Sequence, residues 1–551
     1  MPLIPISNAF LSCGLVRTDY KPVENLYHSA SEYSYSPSLW EGLFRLSCLL
    51  NDNPLNEPVA ASIMESLKET ENGAFEGPIK EQVQRARAAF ALFEYTADRS
   101  ILKRIASWFR YLEIEWDTLF GKGEILFHPA DLMELLIRFY VISGIKSVLR
   151  LCARLRSAAF DWTTVLHTVQ QTVLSVPENP DDINKIEDKD VQSLDFDEKR
   201  ILINHADALA DGLRYSLYSA IFSGNGQELS AGKTAWTVLR KHHYAVCGGT
   251  TSEPFLAGTN AGSGISTAAL SAWTEAFAAQ MLFDDSAWAA DELIRIVFNG
   301  LAYCLKKDKI PNTQYVNQYS VNRTHRDAPE LYARLTRSAA SVFHHAVSLS
   351  NGKVKINYLL PARYIVSYQK QPIIVSMDTD KIVFHSKNEV SLPVSVFYAT
   401  TETAEIALNR NGLRNEATAD HSDRIAGKYL NMGQKWRNND SISFEQKANI
   451  RTESTHHQGR CFFIRNQLMT VEPVSEKDVY AVIDPPDIQN GKAEIKLWKT
   501  KERRKSKGIS EDIPVLPKRS NEQPVITALK PYCESDIRIS MFPGIIQTCL
   551  K

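Results

Sequence analysis

Residues 91–109, ALFEYTADRSILKRIASWF, carry two helical patterns with a short polar turn between them. In the second, Ile101, Ile105, Trp108, Phe109, Leu112 and Trp116 fall on one broad apolar face. The arrangement recurs in RFYVISGIKSVLRLCARL (138–155), YSAIFSGNGQELSAGKTAW (218–236) and QMLFDDSAWAADELIRIVF (280–298). Each unit reads as a helical hairpin. One hairpin cannot bury its own apolar faces, so several must pack together. Their unequal spacing speaks against an open solenoid and for a closed ring of hairpins, an (α/α) toroid. HPADLMELLIRFYVISG (128–144) and AALSAWTEAFAAQMLF (268–283) are apolar almost all round, which places them inside the assembly. The acidic stretch 176–198 reads as a solvated insertion.

The period changes near residue 352. KVKINYLLPARYIV, QPIIVSMDTDKIVFH and SLPVSVFYA alternate at period two and are rich in Val, Ile and Tyr. This predicts an antiparallel β region, most simply a sandwich. The expected organisation is therefore α+β: a helical unit over 1–350, holding the site, and a β-sandwich region over 351–551.

Bulk properties exclude several partners. Among 551 residues, 63 Lys and Arg oppose 64 Asp and Glu, for a formal net charge of −1. Neither a nucleic acid nor an anionic membrane is expected to be attracted to such a chain. No apolar run reaches the length of a membrane span. The basic run 498–508 has no aromatic platform beside it and reads as a solvated loop. Eight scattered cysteines with no CxxC pair point to buried, reduced thiols and a cytoplasmic location. The β region offers a surface for a homodimer.

An ordered set of motifs carries a family resemblance. NHADAL (204–209), HHYAVCGGTTSEPF (242–255), AAQMLFDDSAWAADELIRIVFNGL (278–301), QYVNQY (314–319), APELYARLTRSAAS (328–341) and KVKINYLLPARY (353–364) follow one another. GKYLNMGQKWRNNDSISFE (427–445), GRCFFIRNQLMTV (459–471) and ITALKPYCESDIRISMFPG (526–544) continue the series. From about residue 200 onward the chain resembles glycoside hydrolase family 127, the β-L-arabinofuranosidases. The resemblance implies an (α/α)6 barrel with β-sandwich material behind it, a substrate pocket at the barrel mouth, and a carbohydrate or glycoside as partner. It also implies a zinc site built from a Glu-Thr-Cys motif and a Cys-Cys pair, one of whose cysteines is the nucleophile.

The chain departs from that pattern at the metal. The Glu-Thr-Cys positions fall on Thr267, Ala268 and Ala269, and the Cys-Cys positions on Asp327 and Ala328. A thiolate zinc site needs soft sulfur donors and usually four ligands. No metal and no other cofactor are expected. Cys247, beside the double glycine, reads as a small buried hydrophobe.

Two carboxylates remain at family positions. Glu253 falls on the acid/base position and Asp327 on the nucleophile's. Glycoside hydrolysis needs such a pair, one group protonating the leaving oxygen and one attacking or activating water. Asp327 is equally placed to cap the helix that follows it, and Glu253 to be a solvated loop residue. Substrate contacts are assigned to His205, Asp207, His243, Tyr315, Asn317 and Arg326. His205, Tyr315 and Asn317 match family pocket positions. Asp207 stands where the family has a second histidine. His242 and His243 also suit a helix C-terminus by charge. Arg326 belongs to a basic cluster with Arg323 and His325, able to bind an acidic sugar or to pair with Asp327.

The function expected is hydrolysis of a non-reducing-end, arabinofuranoside-like sugar by a metal-independent two-carboxylate mechanism. Two alternatives stay open: a non-catalytic carbohydrate-binding or scaffold protein, and a toroid lyase or other metabolite enzyme.

Overall fold

The computed structural model describes residues 16–543 except 52, 69, 71, 121–123, 170–202, 253–254, 257, 259–263, 284–286, 307–309, 312, 316–328, 351, 369–370, 399–403, 411–412, 418–427, 447–449, 455–458, 465, 472–478, 483–485, 490–491, 501–522 and 535–541.

The hairpins form where the sequence turns. Ala97, in the left-handed conformation at φ 56°, ends the helix Ile79–Thr96. Asp98 caps the next, Arg99–Ile114, by accepting from the Ser100 N–H. Gly144 and Gly224 end two further helices in the same left-handed way, and Asn225 caps the helix after Gly224.

Six helices pack in a closed succession. They are α1 (Pro37–Leu50), α2 (Ile79–Thr96), α3 (Ala130–Ser143), α4 (Ala206–Ser223), α5 (Thr267–Phe283) and α6 (Pro329–His345). Each touches the next, and α6 returns to α1. A second set lies against them: Lys21–Ser31 on α1 and α6, Pro58–Ser66 and Arg99–Ile114 on α2, Val148–Ala158 on α3, Gly226–His242 on α4, and Ala287–Arg295 on α5. Apolar residues face the second set. Charged residues meet between the six.

Most strands follow from Val347; before it, among the described residues, come three short ones, Val16–Arg17, Gly264–Ser266 and Thr313–Tyr315. Val16–Arg17 pairs antiparallel with Ala362–Tyr368 and so joins a seven-stranded sheet. A four-stranded sheet contains the one parallel pair among the described strands, Lys353–Ile356 beside Val390–Tyr398. A three-strand meander, Ala362–His385, separates these two strands and brings the chain back in the same direction. Phe384 of the first sheet stacks on Trp436 of the second, with ring centroids 4.1 Å apart. A third sheet, built from Ile450 onward, has its own small core of Phe462, Met469, Val471, Ile495, Leu497 and Leu529.

A π-helical turn, Ile296–Leu301, ties the helices to the third sheet. Asn299 donates to the Asn466 carbonyl at 3.0 Å and accepts from the Leu468 N–H at 2.5 Å. Just ahead of the turn, Arg295 holds Glu453 in a two-pronged pair at 2.7 and 2.8 Å. The same turn receives the double glycine. Gly300 N donates to the Cys247 carbonyl, and Gly248 packs its bare Cα against Ile296.

Candidate active site

His205 caps α4, and its Nδ1 lies against Asp207 Oδ1 in the helix's first turn. The other Asp207 oxygen meets Arg334 Nη1 of α6 at 3.3 Å. Arg334 Nη2 is 3.8 Å from Asp211 Oδ2, one turn further along α4, and that oxygen lies 3.4 Å from His128 Nδ1, just before α3. The result is a chain His205–Asp207–Arg334–Asp211–His128 across the entry ends of three helices.

Burial pushes both aspartates up, but the neighbouring arginine and histidine side chains more than offset it. His205 and Arg334 hold the Asp207 carboxyl well below the usual range. His128, Arg334 and Arg214 do the same for Asp211. Both are carboxylates at neutral pH. A carboxylate on Nδ1 fixes an imidazole's tautomer and turns its Nε2 outward as the reactive edge.

Deeper between the helices the charges continue. Arg214 Nη1 bonds Glu275 of α5 at 2.6 Å and also pairs with Asp131 of α3. Arg337 of α6 reaches Asp131 at 2.9 Å and Glu275 at 3.2 Å. Helices α3 and α6 are opposite members of the six, so this bond crosses the middle. Arg87 of α2 holds Glu41 of α1 at 2.6 Å and Glu134 of α3 at 3.2 Å. Every one of the six helices contributes. A buried ionic lattice of this kind adds little net stability, but loss of any one partner leaves an uncompensated buried charge.

The expected site residues divide between placed and undescribed. His205 and Asp207 come together as above. His243 is 1% exposed, and its Nδ1 accepts from the Gly258 N–H at 3.2 Å. Burial, with His242 beside it, lowers its pKa to about 4, so it is a neutral clasp on the 243–258 loop. Tyr315 lies on a short strand, Thr313–Tyr315, whose backbone pairs with Gly264–Ser266. Glu253, Asn317, Arg326 and Asp327 lie outside the described residues. The backbone of Phe255 pairs with His205, and the two rings meet edge to face at 5.7 Å. Helix α6, which follows Asp327 and Ala328 in the chain, is the one that carries Arg334.

Arg334, Asp211 and His128 were not anticipated. A signal existed. Asp207, Asp211 and Arg214 recur at i, i+4 and i+7 on a helix otherwise almost wholly apolar.

The described residues do not fit a thiolate zinc site. Thr267 donates its hydroxyl to the Pro311 carbonyl, and the Ala269 side chain has no donor atom. The thiol beside Thr267, Cys304, is pushed up to about 12 by burial, although Thr267 and Gln314 bond to it. Among the described residues no three metal-binding side chains converge.

Solved structures are similar to this chain over nearly its whole length. A glycoside hydrolase superposes with TM-score 0.70 at 11% identity, covering 98% of this chain and 99% of that one. A GH127 β-arabinofuranosidase gives TM-score 0.61 at 13% identity, over 95% and 92%. The GH127 β-L-arabinofuranosidase Ara127N of Geobacillus stearothermophilus T6 gives 0.61 at 14%, over 93% and 91%. The chain has a GH127-like fold. No protein-family model and no curated protein matches it in sequence. At such identity the GH127-like fold carries over, while the side chains at the helix entries are this chain's own.

Proposed function

We propose that the protein is a glycoside hydrolase acting on a non-reducing-end sugar. In this reading the six helices form the inner wall of an (α/α)6 toroid, and their entry ends form its mouth. The observation that carries it is the His205–Asp207–Arg334–Asp211–His128 chain at those ends, in a fold shared with glycoside hydrolases. Two imidazole edges fixed by ionised carboxylates suit the paired hydroxyls of one sugar ring.

The reaction needs an acid as well as an anion. Asp207 and Asp211 are held ionised and so cannot supply the proton. We assign the acid to Glu253, in the segment between Ser252 and the Phe255 that pairs with His205. Its proton goes to the glycosidic oxygen as the bond from the anomeric carbon breaks. We assign Asp327, ahead of α6, as the carboxylate that attacks that carbon or takes a proton from the attacking water. No metal enters the scheme. The reading takes the six described cysteines, none of them in a disulfide, as thiols of a protein working in a reducing, cytoplasmic compartment.

The test is sugar release from a panel of arabinofuranosides and related glycosides. Glu253→Gln and Asp327→Asn should each lower turnover by at least about 100-fold, in line with loss of a general acid or base, while both variants still bind sugar. Chelator should change neither activity nor melting temperature. Glycan binding without product above a heat-killed control would leave a binding protein. Stoichiometric zinc in the purified protein, or activity restored by it, would overturn the two-carboxylate scheme.

A further inference from the structure

Tyr35 is 73% exposed, more than any other large hydrophobic side chain among the described residues and the one aromatic among those counted exposed. The others, such as Met64, Ile114 and Ile526, are aliphatic. Tyr35 does not sit on a floppy loop. It lies in the turn that leads into α1, where Tyr33 N donates to the Ala30 carbonyl, Ser34 N to Ser31, and Ser36 N to Tyr33. Trp40 of α1 clamps the turn from below, its indole N–H donating to the Ser34 carbonyl at 2.8 Å. The Tyr33 ring lies 6.5 Å from that of Tyr35 and stacks on Tyr332 of α6 at 5.5 Å and 26°. Tyr332 lies in the first turn of α6, the helix that also carries Arg334, although residues two apart on a helix face different ways. A row of rings therefore runs from an exposed tip to α6, whose Arg334 pairs with Asp207 of α4.

An exposed aromatic held on a rigid turn loses little entropy when something stacks on it. Its face suits the C–H side of a sugar ring, and its hydroxyl suits a sugar hydroxyl. The turn adds hydroxyls at Ser34 and Ser36, and a carboxylate at Glu32. We infer that Tyr35 is a stacking platform for a neutral sugar unit of the glycan lying beyond the one held by His205 and His128. This deepens the glycosidase reading and rests on it. The protein would then prefer oligosaccharides to simple glycosides of the same terminal sugar.

Calorimetry with methyl glycosides and the matching two- to five-sugar oligosaccharides tests this on the full chain. The oligosaccharides should bind Tyr35→Ala roughly five- to tenfold more weakly than wild type, the size of one lost aromatic contact. The advantage of each oligosaccharide over its methyl glycoside should shrink by the same factor, and Tyr35→Trp should restore it. Oligosaccharides that bind Tyr35→Ala as tightly as wild type would overturn the platform while leaving the glycosidase reading intact. So would a Tyr35→Ala effect confined to self-association in sedimentation, which would make the tip a contact between copies. If wild type bound no carbohydrate in the panel, both readings would fall together.

Discussion

Arg334 of α6 reaches two carboxylates that stand one turn apart on α4, Asp207 and Asp211. Asp207 and Asp211 owe their low pKa in part to it. A carboxylate with a depressed folded pKa stabilises the fold above its unfolded pKa and loses that contribution as pH falls. Arg334→Gln should thus cost about 2 kcal/mol at pH 7, a buried-pair loss discounted for partial exposure. The cost should shrink below about pH 4, where the unfolded carboxyls protonate. Denaturant unfolding at both pH values checks this, and an equal cost at the two would refute it. His205 and Asp207 were legible in the NHAD motif. Asp211 left a trace in the Asp207, Asp211, Arg214 spacing, but Arg334 and His128 left none, and a charge on a lone helix reads as solvated. Only the packing of α4 against its neighbours turns it inward.

The double glycine was visible in the sequence, but its partner was not. Gly248 has φ 106°, which side-chain-bearing residues rarely adopt. A Cβ there would sit 2.4 Å from Ile296 Cγ1 and 2.9 Å from the Ile296 backbone nitrogen. Gly248→Ala should destabilise by roughly 3 kcal/mol or more, because strain and overlap add. Gly144→Ala, at φ 68° with nothing within 4 Å of the added carbon, should cost only about 1 kcal/mol. Comparable losses from the two would mean that Ile296 yields. The π-helical turn itself escaped the periodicity, which reads the second helix of the 280–298 hairpin as ordinary helix to its end. Its register is set by Asn299, whose partners Asn466 and Leu468 lie far away in the sequence.

At the scale of the whole molecule the two periodicities reported two kinds of structure, and the unbroken run of strands begins at Val347, right after α6 ends at His345. The pH response is also a property of the whole. Burial lowers His243 and His345 to about 4 and His344 to about 3. These imidazoles stay neutral in the fold while the unfolded chain takes up protons near 6.5, so stability falls as pH drops from about 6.5 toward 4. Burial raises Glu275 and Glu292, which pulls the other way. Below about 4 the depressed carboxylates Glu41, Asp131 and Glu134 add to the loss. The melting temperature should decline from about pH 6 and drop steeply below about pH 4. His344→Gln should flatten the upper part, and a profile level down to pH 4.5 would contradict the assignment. The strand Val16–Arg17 bears on how the molecule comes into being. Val16 pairs with Tyr364, so the first strand leaves the ribosome long before its partner is made. At about 5–20 residues per second the wait is on the order of half a minute. Through that interval the nascent chain holds an unpaired edge, and a chaperone that shields it would act before translation ends.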